Sequence, residues 1–306
     1  MSLKGKDIIS IRDLTRNEIE HIMEVAVTME PLMKTGSKIL GGKILACLFF
    51  EPSTRTRLSF ESAMDRLGGS CIGISEPRTS SIEKGESLED TIRVVENYAD
   101  AIVLRHPSEE AIRLAAECAS IPVINGGSGA EEHPTQTILD LYTMKREMGK
   151  IDGLNIALLG DLKYGRTVHS LACALAHYYV NLYLVSPEPL AMPRQIIKEI
   201  SGRIHVIETC DIEEIIPKVN ILYVTRIQKE RFTNLNDYER VKGAYRLTLQ
   251  AIINAKKDMI IMHPLPRIDE ISPEIDDSPH ARYFKEVWYG VAARMALLSL
   301  IFGTIE

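Results

Sequence analysis

The segment Ile44-Leu45-Ala46-Cys47-Leu48-Phe49-Phe50 constrains the fold more than any other stretch of this chain. It is apolar at every position and of strand length, so it reads as a strand covered on both faces, as in a parallel sheet flanked by helices. Its surroundings agree. Thr15 followed by Glu18 fits a helix capping box, and Ile19, Ile22, Met23 and Ala26 extend that start as an apolar helical stripe. Helical spacing returns at Phe60, Met64 and Leu67. Strand-like runs follow at 71–74, 101–104 and 122–125, with helical patterns at 88–98 and 109–120 between them. The second half repeats the alternation. Strands are predicted at 155–159, 182–185, 204–207, 221–225 and 259–262, and helices at 166–179, 194–200 and 212–219. A closing helix over 285–302 aligns Trp288, Val291, Ala292, Met295 and Leu298. A helical pattern at 135–148 joins the halves, and 149–153, with a glycine at each end, is the clearest hinge. Strands alternating with helices mean β-α-β units. The expected fold class is α/β: two doubly wound domains with parallel sheets, bridged by helices.

Composition narrows what such a chain can do. At 306 residues it is long enough for two domains, and 45% apolar with 25% charged residues excludes a disordered chain. No apolar run approaches the ~20 residues of a membrane helix, and the first residues lack the apolar stretch of a secretory signal. A cytoplasmic protein is expected. A formal net charge of -6 argues against nucleic acid as a partner. The five cysteines form no C-x-x-C pair and the eight histidines show no ligand spacing, so neither a disulfide framework nor a metal site is expected.

In open α/β sheets, ligands bind beyond the carboxyl ends of the strands. After the first strong strand comes Glu51-Pro52-Ser53-Thr54-Arg55-Thr56-Arg57, where Ser53 and Thr54 are natural N-caps. Such a helix start aims N–H groups, hydroxyls and an arginine at one spot, an arrangement suited to phosphate. Arg55 and Arg57 are two apart and so are not expected to grip one phosphate together. Comparable groups end other strands: Arg105-His106-Pro107, His133-Pro134-Thr135-Gln136, Gly160 through Thr167, Thr225-Arg226-Ile227-Gln228 and His263-Pro264-Leu265-Pro266-Arg267. Taken singly, each has an ordinary reading, as a surface ion pair, a core histidine or a strand stop. Together they suggest a cationic cleft in an acidic protein, fit for small anions. The two glycines at 160 and 165 fall short of a dinucleotide loop, and no G-x-S-x-G elbow is present.

Phe49 through Arg57 resembles the carbamoyl phosphate motif of the carbamoyltransferases, and the remaining segments resemble the aspartate-using branch of that family. The ornithine-using branch is the nearest alternative. It normally carries Cys-Leu-Pro where this chain has Pro264-Leu265-Pro266, together with an acidic, methionine-containing loop for its cationic substrate. A phosphometabolite-binding module without turnover is the second alternative. The resemblance implies transfer of a carbamoyl group from carbamoyl phosphate to the α-amine of L-aspartate, a step of pyrimidine synthesis, with no cofactor. It implies a carbamoyl phosphate domain over 1–133 plus 290–306 and an aspartate domain over 134–289. Ser53, Thr54, Arg55 and Thr56 would cradle phosphate. Arg105 and His133, with Thr56, would polarise the carbamoyl oxygen. Gln136 and the carbonyls of Pro264 and Leu265 would hold the carbamoyl amino group, beside Pro266 in a candidate cis bond. Arg166, Thr167, Arg226 and Gln228 would bind aspartate, with Leu265 and Lys84 touching it. Ser80 and Lys84 lie in a polar stretch that reads plainly as a solvated loop; in the family it enters the neighbouring chain's site, which implies a homotrimer. Zinc-carrying regulatory chains, present in some relatives, are left open. Glu51, with Arg166 or Arg231, is expected to hold a closed arrangement, and Glu131 and Glu132 are expected to face solvent.

Overall fold

The computed structural model of the chain describes residues 2–74, 85–129, 132–228, 232 and 235–305. The expected capping box forms: Thr15 accepts from the Glu18 N–H, and the Glu18 carboxylate accepts from the Thr15 N–H. It starts α1 (Arg16–Met29), followed by α2 (Leu32–Thr35), β1 (Ile44–Phe49), α3 (Thr54–Arg66), β2 (Ser70–Ile74) and α4 (Leu88–Val95). Then come β3 (Ala101–Arg105), α5 (Glu110–Cys118), β4 (Val123–Asn125) and α6 (Pro134–Met148). The second series is β5 (Asn155–Leu159), α7 (Arg166–Leu175), β6 (Asn181–Val185), α8 (Arg194–Ile200), β7 (His205–Thr209) and α9 (Ile212–Ile215). It ends with β8 (Ile221–Val224), α10 (Leu235–Val241), β9 (Ile260–Met262) and α11 (Tyr283–Ile301).

The strands form two parallel sheets, in the orders β2-β1-β3-β4 and β7-β6-β5-β8-β9. Contacts divide the chain into two units, one running to Tyr142 and resuming at Trp288, the other Thr143–Val287. Both divisions fall inside helices, α6 and α11. In the first unit Ala46, Leu48, Ile102 and Leu104 of the sheet pack with Ile92, Ile112 and Ala115 of α4 and α5. In the second, Ala157, Leu159, Leu222, Val224 and Ile261 pack with Ile215, Val219 and Tyr283. These are the continuous apolar strands of the sequence, buried as their lack of a polar face requires.

Strand order fixes where a ligand can sit. The chain leaves β1 for β2 on one side and later returns to β3 on the other, so the first unit has a switch point between β1 and β3. The second has its switch point between β5 and β8. Some ends differ from expectation. The helix expected over 212–219 stops at Ile215, where Pro217 has no N–H with which to extend it. That expected over 166–179 stops at Leu175, and residues up to Tyr178 turn through shorter bonds to Ala174 and Leu175 carbonyls.

Candidate functional site

In the first unit the β1 switch point leads into α3. Ser53 occupies the N-cap in extended conformation, yet its side chain makes no capping bond, so the hydroxyl is not consumed by the helix. The amides of Thr54, Arg55 and Thr56 open the helix at its positive end. Arg57 is turned to Glu61, 2.7 Å away one turn along. Register places Phe49 beside Arg105. The Arg105 guanidinium is buried, 2.9 Å from Glu51 and 3.3 Å from the Gly126 carbonyl it donates to. His133 is buried as well, with its Nε2 3.3 Å from the Thr56 hydroxyl. Gly127 sits between these groups at φ 105; a Cβ there would meet Arg105 Nη1 at 2.9 Å and His133 Cδ2 at 3.1 Å. Only glycine allows that approach. Thr56, Arg105 and His133 therefore converge, and Gln136 stands one helical turn after His133 with its amide donating to buried Asp140 at 2.8 Å.

One expectation is overturned. Glu132 does not face solvent: it is buried, accepting from the Ser10 hydroxyl at 2.6 Å, the Ile11 N–H at 2.9 Å and Arg12 at 2.5 Å. The short turn Ile11–Asp13 presents the Ile11 N–H at that point and the carboxylate accepts it, while Ser10, which itself donates to the carboxylate, accepts the Arg12 N–H. The residue preceding His133 is thereby tied to the start of the chain. Glu131, Ser80, Lys84 and Arg231 lie outside the described residues.

In the second unit, the ends of β5 and β8 touch. Gly160, at φ 117, lies so near β8 that a Cβ would meet the Thr225 carbonyl at 2.3 Å. The Asp161 N–H donates to the Thr225 hydroxyl at 3.1 Å, and the buried Asp161 carboxylate accepts from the N–H groups of Tyr164 at 2.9 Å and Gln228 at 3.3 Å. Burial pushes the Asp161 pKa above the ordinary carboxylate value, against the pull of those N–H groups. This carboxylate joins the loop leading into Arg166 and Thr167, at the start of α7, to the loop carrying Arg226 and Gln228. Arg166, Thr167, Arg226 and Gln228 are all half-buried. Beyond β9, Leu265 has φ 56 and the Leu265–Pro266 bond is cis. Arg267 is directed elsewhere, paired with Asp276 and stacked 5.2 Å from the Tyr283 ring.

Sequence reasoning passed over several supporting groups. Asp140, behind Gln136, is found by the i, i+4 rule. Asp161 was visible as a strand-end acid but carried no role. Arg294 had no sequence signal. It is buried 5.1 Å above the Phe60 ring, and burial pulls its pKa down to about 10 while the nearby charge of Asp140 pulls it up.

Comparison with known proteins places these geometries in context. A family profile described as aspartate/ornithine carbamoyltransferase, carbamoyl-P binding domain, matches residues 6–146. A second, described as the Asp/Orn binding domain of the same group, matches residues 152–301. The aspartate carbamoyltransferase catalytic subunit of Thermococcus kodakarensis is 59% identical, with 100% of this chain and 99% of that protein aligned. The catalytic subunit of M. jannaschii aspartate transcarbamoylase superposes with a TM-score of 0.89 at 52% identity, covering 96% of this chain and 97% of that one. Aspartate transcarbamoylase from Trypanosoma cruzi, solved with N-(phosphonacetyl)-L-aspartic acid, gives a TM-score of 0.93 at 40% identity over 98% and 96% of the two chains.

Proposed function

Because this chain belongs to the aspartate/ornithine carbamoyltransferase family, we propose that its first unit binds carbamoyl phosphate and its second binds L-aspartate. The chain is a carbamoyl-group transferase: it moves the carbamoyl group of carbamoyl phosphate to the α-amine of L-aspartate, giving N-carbamoyl-L-aspartate and phosphate. The observation that carries the assignment of roles is the convergence of Thr56, Arg105 and His133 around Gly127 at the β1/β3 switch point.

Ser53, Thr54, Arg55 and Thr56 hold the phosphate group at the start of α3, and Arg105 reaches both phosphate and carbonyl oxygen. The aspartate amine attacks the carbamoyl carbon, the new C–N bond forms, and charge gathers on the carbonyl oxygen, where Thr56, Arg105 and His133 stand ready. The bond to the phosphate oxygen then breaks, and an amine proton passes to the departing phosphate, the most basic group the step creates. Gln136 and the carbonyls of Pro264 and Leu265 orient the carbamoyl amino group. Catalysis comes from position and fixed charge, and the roles assigned require no cofactor.

Arg166 and Arg226, helped by Thr167 and Gln228, take the two carboxylates; the arginine fork suits that task. The same cations disfavour ornithine, whose side chain ends in an ammonium. Phosphate release is therefore expected with carbamoyl phosphate plus aspartate and not with ornithine. Release with ornithine would transfer the assignment to the sibling reaction, and binding without release would make the protein a sensor.

The family resemblance further supports a homotrimer in which Ser80 and Lys84 complete a neighbour's site, in the cytoplasm, with regulatory chains able to join. Mixing an Arg105→Ala chain with a Lys84→Ala chain tests this. Shared sites predict regained activity after subunit exchange, and self-contained sites predict none.

A further inference from the structure

Leu265 holds a backbone conformation that branched side chains rarely adopt, φ 56, and something must maintain it. The group in place is His263. Its side chain is 1% exposed, its Nδ1 accepts the Leu265 N–H at 2.8 Å, and its Nε2 lies 2.7 Å from a carboxylate oxygen of Glu270. An amide can donate only to an unprotonated nitrogen, so Nδ1 is bare and the ring proton sits on Nε2, donating to Glu270. The other Glu270 oxygen accepts from the N–H groups of Ile268 and Asp269, both at 3.1 Å. The His263 N–H is anchored to Glu286 of α11 at 3.1 Å. One imidazole thus ties the two ends of the 263–270 loop together, and its tautomer is dictated by the carboxylate behind it.

We propose that His263 is a positioning residue: through the Leu265 N–H it fixes the turn whose Pro264 and Leu265 carbonyls orient the carbamoyl amino group. The inference rests on the reading of those carbonyls given above. It separates the two ring nitrogens by task. Nδ1 holds the reacting turn, while Nε2 serves Glu270 and the stability of the loop.

Side-chain amides can imitate the two nitrogens one at a time. His263→Asn places an acceptor near the δ position and abandons Glu270; His263→Gln reaches Glu270 and abandons Leu265. Thermal midpoint is expected to be at least as high for the Gln variant, since it keeps the buried carboxylate partnered. kcat with carbamoyl phosphate and aspartate should run the other way. The Asn variant is expected to stay within about threefold of the unaltered enzyme, and the Gln variant to lose about tenfold or more. Inhibition by inorganic phosphate, whose cradle lies in the first unit, should be unchanged in both. Activity that follows stability, with Gln better than Asn, would reduce His263 to a structural role and overturn the proposal. An unaltered enzyme inactive with aspartate would overturn the parent reading, and this inference with it. Should both variants fail to fold, nitrogen NMR of the histidine-labelled native protein decides. The expected signal for His263 is a pyridine-like Nδ1 beside a pyrrole-like Nε2, and the opposite tautomer would refute the arrangement.

Discussion

The two units build their candidate ligand groups by different means. In the first unit Thr56, Arg105 and His133 are each less than 10% exposed and touch one another or the backbone between them. In the second, Arg166, Arg226 and Gln228, the side chains proposed to bind aspartate, are half-exposed, and what is buried is the carboxylate that aligns their loops, Asp161. Burial strengthens an electrostatic interaction because little water screens it. Under the proposed roles, the first unit places its donors where charge develops during reaction, before any substrate arrives. The second keeps the guanidinium groups of Arg166 and Arg226 near solvent, as the proposed capture of a soluble dicarboxylate requires, and invests rigidity in the backbone beneath them. One unit is fixed at its side chains, the other at the scaffold.

The contrast is broken most directly at His133. His133→Ala should lower kcat by about 10² to 10³, the effect of removing one preorganised donor to a developing oxyanion, with much less change in KM for aspartate. A variant that instead raised the aspartate KM while leaving kcat intact would mean that the buried half is a binding site like the other.

Asp161 tests the second half. Asp161→Ala releases the N–H groups of Tyr164 and Gln228, and KM for aspartate is expected to rise about tenfold while carbamoyl phosphate binding holds. Its titration offers a finer probe. Because burial raises its pKa, Asp161 takes up a proton, as pH falls, earlier than an ordinary carboxylate. A raised folded-state value means that this proton binds the folded chain more readily than the unfolded one, so its uptake favours folding at acid pH. The acid-side loss should appear in the aspartate KM and not in the thermal midpoint, and Asp161→Asn should flatten it.

Much of this was legible because parallel strands announce themselves. The apolar run at Ile44–Phe49 had no face to offer water, and the strand ends at Arg105 and Arg226, like the loops that lead from strands to His133 and Arg166, follow from that pattern. What the sequence concealed were groups acting through neighbours distant along the chain. Glu132 looks like one of two solvated acids, yet it is held by Ser10, Ile11 and Arg12, some 120 residues earlier. No periodicity records such a contact. His263 differs, since its partners Leu265 and Glu270 lie close along the chain: its motif was visible, but which nitrogen meets which partner emerges only when Glu270 folds back on it. Gly127 lies between these cases, since a glycine-rich turn is evident from sequence, while the need for glycine comes from the two side chains that flank it.

The smallest expected effect lies at the border of the buried half. Glu51 occupies Arg105 at 2.9 Å while its own side chain remains 28% exposed, so under the proposed role of Arg105 an arriving phosphate shares the guanidinium with a competing carboxylate. Glu51→Ala removes that competitor, and affinity for carbamoyl phosphate should rise by about two- to fivefold, in the range of a partly solvated ion pair. If Glu51 also holds the closed arrangement expected from the family, aspartate use should weaken in the same variant. Opposite shifts for the two substrates, read by equilibrium binding of carbamoyl phosphate and by the aspartate KM, would show one carboxylate acting on each half differently. Equal losses for both would mean that Glu51 merely supports Arg105 and that the buried half depends on it.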